Sequence, residues 1–209
     1  MVKIKAVLFD MDGVLIEAKE WHFEALNRAL KLYGYEIPMS DHLSRYDGLP
    51  TKVKLQKLSA ENGLPVELHS EINAKKQEIT MEIIKERCRP NPIREHCLSE
   101  LKSHGYRIVC CSNSIQQTIK TMLHYANLDQ YLEFIVSNQD VTNPKPDPEI
   151  YITAMKKLGL QPNECLIVED NENGIRAAIA SGGHLLTIKN IDEVNLDNIL
   201  HKITEIESQ

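Results

Sequence analysis

The stretch Val7-Leu8-Phe9-Asp10-Met11-Asp12-Gly13-Val14-Leu15 decides how the rest of the chain is read. An apolar run from Ile4 through Phe9 predicts a buried strand, and it ends on two carboxylates one residue apart, followed by a glycine. In open α/β sheets ligands lie beyond the carboxyl ends of the strands, which is where Asp10 and Asp12 fall. Residues two apart on a strand point to the same side, so both carboxylates are expected to converge on one bound group while Met11 faces away. Like charges this close repel unless a cation sits between them, and oxygen ligands suit a hard ion such as Mg²⁺. Gly13 lets the chain turn out of the sheet without a side chain blocking the site. Asp-Gly is also a common turn signal, so on these nine residues alone a plain strand-ending turn stays open.

Composition narrows the classes. The chain has 209 residues, 42% hydrophobic and 26% charged, which fits one full core plus a smaller inserted unit and argues against disorder. A formal net charge of -6 speaks against a nucleic-acid partner recruited by a basic surface. No run approaches the roughly 18 to 20 apolar residues of a membrane helix. The opening Met-Val-Lys-Ile-Lys leads straight into the first strand without a signal peptide's apolar segment, so a cytoplasmic location is expected. The five cysteines are expected to pack as small hydrophobes. Cys110 and Cys111 are neighbours on a strand and point to opposite faces, and Cys88, His96 and Cys97 match no zinc spacing.

Taken in order, the chain breaks its α/β rhythm after the first strand. Residues 16 to 87 carry helical patterns at Lys19 to Tyr33, Thr51 to Asn62 and Pro65 to Arg87, an all-helical insert closed by Arg89-Pro90-Asn91-Pro92. Alternation then resumes: a helix from Ile93 to Ser103, a strand from Arg107 to Cys111, a helix from Ile115 to Tyr125 and a strand from Phe134 to Ser137. A helix ending at Leu158 follows, then a strand from Cys165 to Val168, a helix from about Asn173 and a last strand from Leu185 to Ile188. Strands joined through helices imply a mostly parallel sheet with right-handed crossovers. The predicted domains are residues 1–15 with 88–209 as the α/β core, and 16–87 as a helical cap.

Three predicted strands end in polar groups: Asp10 and Asp12, then Ser112 and Asn113, then Glu169 and Asp170, while Lys145 stands in the loop Thr142-Asn-Pro-Lys-Pro-Asp-Pro. Brought together they would supply carboxylates for Mg²⁺, a hydroxyl and amides for phosphate oxygens, and an ammonium to offset charge. Singly each has a plainer explanation, Ser112 as a helix cap and Lys145 as a solvated loop charge.

In these motifs the chain resembles the haloacid dehalogenase superfamily, in its phosphatase and β-phosphoglucomutase-like branch with a helical cap. The resemblance rests on Asp10-Met-Asp-Gly-Val, Ser112-Asn, Lys145-Pro and Glu169-Asp170-Asn-Glu-Asn-Gly. It implies a Rossmann-like parallel-sheet core, with Asp10 as nucleophile and Asp12 as general acid and base. It implies Mg²⁺ held by Asp10, the Asp12 carbonyl and Asp170, with Glu169 ligating or ordering its water, and phosphoryl contacts from Ser112, Asn113 and Lys145. Family members that dehalogenate lack the second aspartate, so Asp12 points to phosphate. In the cap, the resemblance marks His22, Gly48 and Lys76 as substrate or gating residues. The arginine that grips a second phosphate in the mutase has no clear counterpart, and Lys52 is the candidate to replace it. The plainer alternatives are that His22 is a helix-surface residue and that Lys54, Lys75 and Lys76 are solvated charges. The expected function is hydrolysis of a small phosphorylated sugar, polyol or related metabolite, with a β-phosphoglucomutase-type phosphomutase as the alternative. A monomer or small homo-oligomer with no nucleic-acid or membrane partner is expected.

Overall fold

A computed structural model describes residues 3–208. Strand β1 (Ala6–Phe9) lies at the centre of a five-stranded sheet, flanked by β2 (Arg107–Cys111) and β4 (Cys165–Glu169), with β3 (Phe134–Val136) and β5 (His184–Thr187) at the edges. Every pairing is parallel. Parallel strands covered on both faces read as unbroken apolar runs, and all four residues of β1 are buried. The register pairs Phe9 with Cys110 on one side and Val168 on the other. Asp10, Ser112 and Asp170 therefore emerge along one edge of the sheet.

Helices α1 (Lys19–Lys31), α2 (Met39–Asp41), α3 (Thr51–Asn62) and α4 (His69–Arg87) lie between β1 and β2, followed by α5 (Pro92–Ser103). The remaining crossovers are α6 (Gln116–Tyr125), α7 (Glu149–Leu158) and α8 (Glu172–Ser181), and α9 (Leu196–Glu207) closes the described chain. Alternate β1 residues serve opposite layers. Val7 and Phe9 pack with Leu98 of α5, Ile119 of α6 and Ile203 of α9, while Ala6 and Leu8 pack with Tyr151 and Ala154 of α7 and Ala177 of α8.

The helical insert has an apolar cluster of its own, including Leu26, Leu30, Tyr46, Leu55, Ile72 and Ile83. Next along α4, Ile84 belongs to the sheet's cluster, and Trp21 packs against both. The two clusters therefore meet along α1 and α4. The predicted helix from Pro65 is divided into a short 3₁₀ turn, Val66–Leu68, and α4. Two further pieces lie outside the predicted elements: α2 with the π-turn His42–Tyr46, and α9, whose Ile199, Ile203 and Ile206 share a buried helical face. All five cysteines are free and buried. Burial raises the thiols of Cys88 and Cys165 to about 11 and those of Cys97 and Cys111 to about 12, so they serve as packing. Among the described residues no helix is long and apolar enough to cross a membrane.

Candidate active site

The ends of β1, β2 and β4 and the loop before α7 meet in a buried ionic network. The Lys145 ammonium, 3% exposed, donates to Asp10 Oδ1 at 2.6 Å, Glu169 Oε1 at 2.7 Å and the Cys111 carbonyl at 2.8 Å. All three of its donors are thereby used. Lys145 is therefore no solvated loop charge. Burial opposes its charge, but Asp10 and Glu169 outweigh burial and keep it protonated. Glu169 also accepts the Tyr151 hydroxyl at 2.5 Å and, through Oε2, the Asp170 N–H at 3.2 Å. It fits there because residue 174 is glycine; a Cβ at that position would overlap the Glu169 carboxylate.

Carboxylate oxygens of Asp10, Glu169 and Asp170 lie within 4.8 Å of one another. Burial pushes the Asp10 carboxyl well up; Lys145 pulls against it, and Glu169, Asp170 and Asp12 add to the rise. Burial also raises Asp170, opposed by Lys19. Acids crowded this way favour a divalent cation, which would return both to their charged form. The all-oxygen donor set of Asp10 and Asp170 fits Mg²⁺, while both Glu169 oxygens are taken by protein donors. Glu169 is thus placed to orient its neighbours.

Asp12 lines the same cleft as Asp10 but is placed there by a turn and not by strand alternation. Regular strand geometry ends at Phe9, and the Met11 carbonyl accepts N–H groups of Leu15 at 3.0 Å and Ile16 at 2.9 Å, so the chain is already turning at Asp12. The strand's two-residue alternation therefore stops short of it. Its carboxylate lies between cap and core: Oδ1 accepts from His22 Nε2 of the cap at 3.0 Å, and Oδ2 from the Ser114 hydroxyl beyond β2 at 3.4 Å. Only its main-chain carbonyl is left for the metal role that the resemblance assigns.

His22 Nδ1 lies 3.3 Å from the Lys76 ammonium, which can only donate. The network thus assigns the neutral tautomer, with Nε2–H donating to Asp12. Burial lowers the His22 pKa and Lys76 assists, against the pull of Asp12. Burial would raise Asp12, but His22, Lys76 and Lys145 hold it below the usual carboxylate range. His22 therefore bridges two charged groups and is not a free surface residue.

Ser112 is buried, and its Oγ accepts the Ser114 N–H at 3.1 Å. The side chain of Asn113 is occupied elsewhere. Its amide donates to the Gly48 carbonyl at 2.9 Å and the Lys145 carbonyl at 3.1 Å, and its oxygen accepts the Lys145 N–H at 3.0 Å. Asn113 therefore clasps the Lys145 loop and the cap together. Gly48, at φ +68, stands where a Cβ would come 2.8 Å from Asn171 Oδ1, and Asn173 donates to the Asp47 carbonyl at 3.1 Å. The loop of Asp47 and Gly48 is thus stitched to the core from two strand ends.

The lysines of the cap divide differently from the expectation. Lys52 is exposed on the rim of the cleft, whereas Lys54 and Lys76 are each only 6% exposed. Helix α3 buries Lys54, Leu55 and Leu58, so its packed face takes Lys54 inward and leaves Lys52 out. Burial lowers both inner ammonium groups to about 8. Neither Lys54 nor Lys76 is the solvated charge that a plain reading of composition gives.

Lys19, Asp47, Tyr151 and Ser114 join the site without a strong signal in the sequence, and Lys54 joins it against the expectation of a solvated charge. Lys19 lies 2.6 Å from Asp170 Oδ2 and 3.8 Å from Asp47 Oδ2, passing over Gly13, whose φ is +93. The available signals were weak: Lys19 opens the first cap helix, and Lys54 immediately precedes the buried Leu55.

The cleft between floor and cap encloses about 190 Å³. A buried carboxylate–ammonium pair, an acid cluster and a helical cap enclose this cleft of an α/β core. The chain belongs to the haloacid dehalogenase-like hydrolases, whose family model matches residues 7–188. It is similar to a phosphorylated carbohydrates phosphatase of Thermotoga maritima, 29% identical over 86% of this chain and 82% of that protein. It is also 27% identical to a phosphoglycolate phosphatase of Aquifex aeolicus, over 86% of this chain and 82% of the relative. A β-phosphoglucomutase of Clostridium difficile shares the fold at a TM-score of 0.86, covering 99% of this chain and 100% of that one at 22% identity.

Proposed function

We propose that this chain is a Mg²⁺-dependent phosphatase that hydrolyses a small phosphate monoester of a sugar, polyol or related metabolite through an aspartyl-phosphate on Asp10. The observation that carries this reading is the Asp10 carboxylate fixed by Lys145 at 2.6 Å beside the Glu169 and Asp170 acids. Phosphatase relatives acting on phosphorylated carbohydrates and phosphoglycolate support the substrate class. A cleft of about 190 Å³ is smaller than the 300 Å³ or so at which pockets for drug-sized ligands begin, which suits a small metabolite.

Lys145 and Asp10 set up the first step. Lys145 fixes the rotation of the carboxylate and reduces its repulsion from a phosphate dianion. Asp10 attacks phosphorus, the bond to the ester oxygen breaks, and Asp12 gives that oxygen a proton. The like charge of the incoming phosphate raises Asp12 from its low value so that it takes up this proton on binding. Asp12 then removes a proton from water, whose oxygen attacks phosphorus and frees Asp10 and inorganic phosphate. Mg²⁺, when held by Asp10 and Asp170, supplies positive charge to the phosphoryl oxygens. The cap, pinned through Gly48 and Asp47, limits water in the cleft.

The test is phosphate release from hexose, pentose, triose, polyol and carboxylated esters, with Mg²⁺ and then with excess EDTA. Metal-dependent release from a few related esters is expected. No release from any of them, in folded protein, would overturn hydrolysis and call for an assay of hexose-phosphate interconversion.

A further inference from the structure

Asp10 and Asp170, the acids placed to hold a divalent cation, each meet a lysine at 2.6 Å, and the two lysines are held very differently. Lys145 is 3% exposed and spends all three donors on core groups. The Lys19 side chain is 35% exposed and comes from the first residue of α1, so it belongs to the cap while Asp170 belongs to the core. A lysine in the first turn of a helix meets the positive end of the backbone dipole, where acids are favoured. Lys19 is therefore badly placed for α1 itself, and its ammonium is accommodated by Asp170 Oδ2 and, at 3.8 Å, by Asp47 Oδ2 of the cap loop. Gly13 leaves room for the contact: a Cβ there would lie 2.1 Å from Asp170 Oδ2 and 2.5 Å from Lys19 Cε.

An ammonium and a divalent cation are rival counter-charges for one carboxylate, and each repels the other. The Asp170 side chain is only 5% exposed, so solvent and salt screen that rivalry weakly. Lys145 is locked in place and cannot yield. Lys19 can, because it stands on a flexible four-carbon stem with a second acid, Asp47, close by. We infer that Lys19 competes with the divalent cation for Asp170 and passes to Asp47 when the cation binds. The exchange trades an ion pair between cap and core for one within the cap, so metal occupancy and attachment of the cap are linked, each acting on the other. This inference rests on the Mg²⁺ site of the proposed phosphatase and names a residue that sets how tightly the site is filled.

Titration of the whole chain with Mn²⁺, which suits the same oxygen ligands, reads the site without turnover through loss of the free ion's paramagnetic resonance signal. Asp170→Asn, by abolishing binding, marks which of it belongs to the site. Lys19→Met should tighten Mn²⁺ binding about tenfold, and Lys19→Arg, which keeps the charge, should not. Should Lys19→Met fail to fold, Lys19→Gln is read the same way. Asp47→Asn should weaken binding about threefold in the wild-type background and less in Lys19→Met, where there is no ammonium left to transfer. An affinity unchanged or lowered by Lys19→Met would overturn the competition, and an Asp47→Asn effect of the same size in both backgrounds would overturn the transfer. Equal Mn²⁺ affinities alongside metal-dependent phosphate release would leave the phosphatase standing without the competition. Tighter binding in Lys19→Met while no ester is hydrolysed would leave the competition standing and remove the phosphatase. No Mn²⁺ binding by either protein would overturn both the competition and the metal dependence of the proposed reaction.

Discussion

Lys145 and Lys54 are buried lysines of one cleft, 3% and 6% exposed, in opposite electrostatic positions. Lys145, on the core floor, has every donor placed and two carboxylates against it. Lys54, on the cap wall, has neither, and its ammonium is brought down to about 8 while that of Lys145 is raised. Floor and wall also differ in sign. The floor gathers the acids Asp10, Glu169 and Asp170, and the wall gathers Lys54 and Lys76.

The largest effect should come from the nucleophile. Asp10→Asn should lower kcat/KM about 10⁴-fold or more in a phosphate-release assay while the protein stays folded; near-normal turnover would exclude covalent catalysis at Asp10. Next comes the same substitution on the two sides of the cleft. Lys145→Met strands Asp10 and Glu169 and should destabilise by about 3–5 kcal/mol in urea titration, whereas Lys54→Met should be neutral or stabilising. Equal losses at both positions would erase the distinction between floor and wall.

The pH dependence sharpens it. Lys54 has a folded pKa of about 8 against 10.5 unfolded, so the unfolded chain holds more protons between those values and this contribution to stability rises with pH there. The advantage of Lys54→Met at pH 7 should therefore narrow as pH passes through 8 to 10, read as the difference between urea midpoints. A constant difference would mean that the Lys54 ammonium has the same pKa in the folded and unfolded chain. The smallest effect belongs to the seam. Asn173→Ala removes the donor to the Asp47 carbonyl and should reduce stability by about 1 kcal/mol. Amide exchange around Asp47 should quicken, and unchanged exchange would show that this bond does not hold the loop down.

Much of the floor is legible in sequence because strand ends in a parallel sheet are predictable meeting points. The apolar runs at Ala6–Phe9, Arg107–Cys111 and Cys165–Glu169 set the register, and the polar residues just after them follow. The wall is less legible. Lysine is usually solvated, so nothing local tells Lys54 from Lys52; only the packing of Leu55 and Leu58 decides which turns inward. Strand periodicity does not fix the partners of Asp12, because past Phe9 the bonds to the Met11 carbonyl already curl the chain. The role of Asn113 depends on Gly48 and Lys145, far away in sequence, and no local pattern announces such a clasp.

The central position of β1 also bears on the order of synthesis. Asp10 leaves the ribosome before the residues near 107 and near 165 with which its strand pairs, and before its acid partner, residue 170. At 5–20 residues per second, roughly 10 to 30 s pass before the second pairing can form. Until then β1 is an apolar strand with an open edge, the condition in which chains pair with one another. A pause or truncation before β4 should therefore leave an insoluble fragment as well as an inactive one.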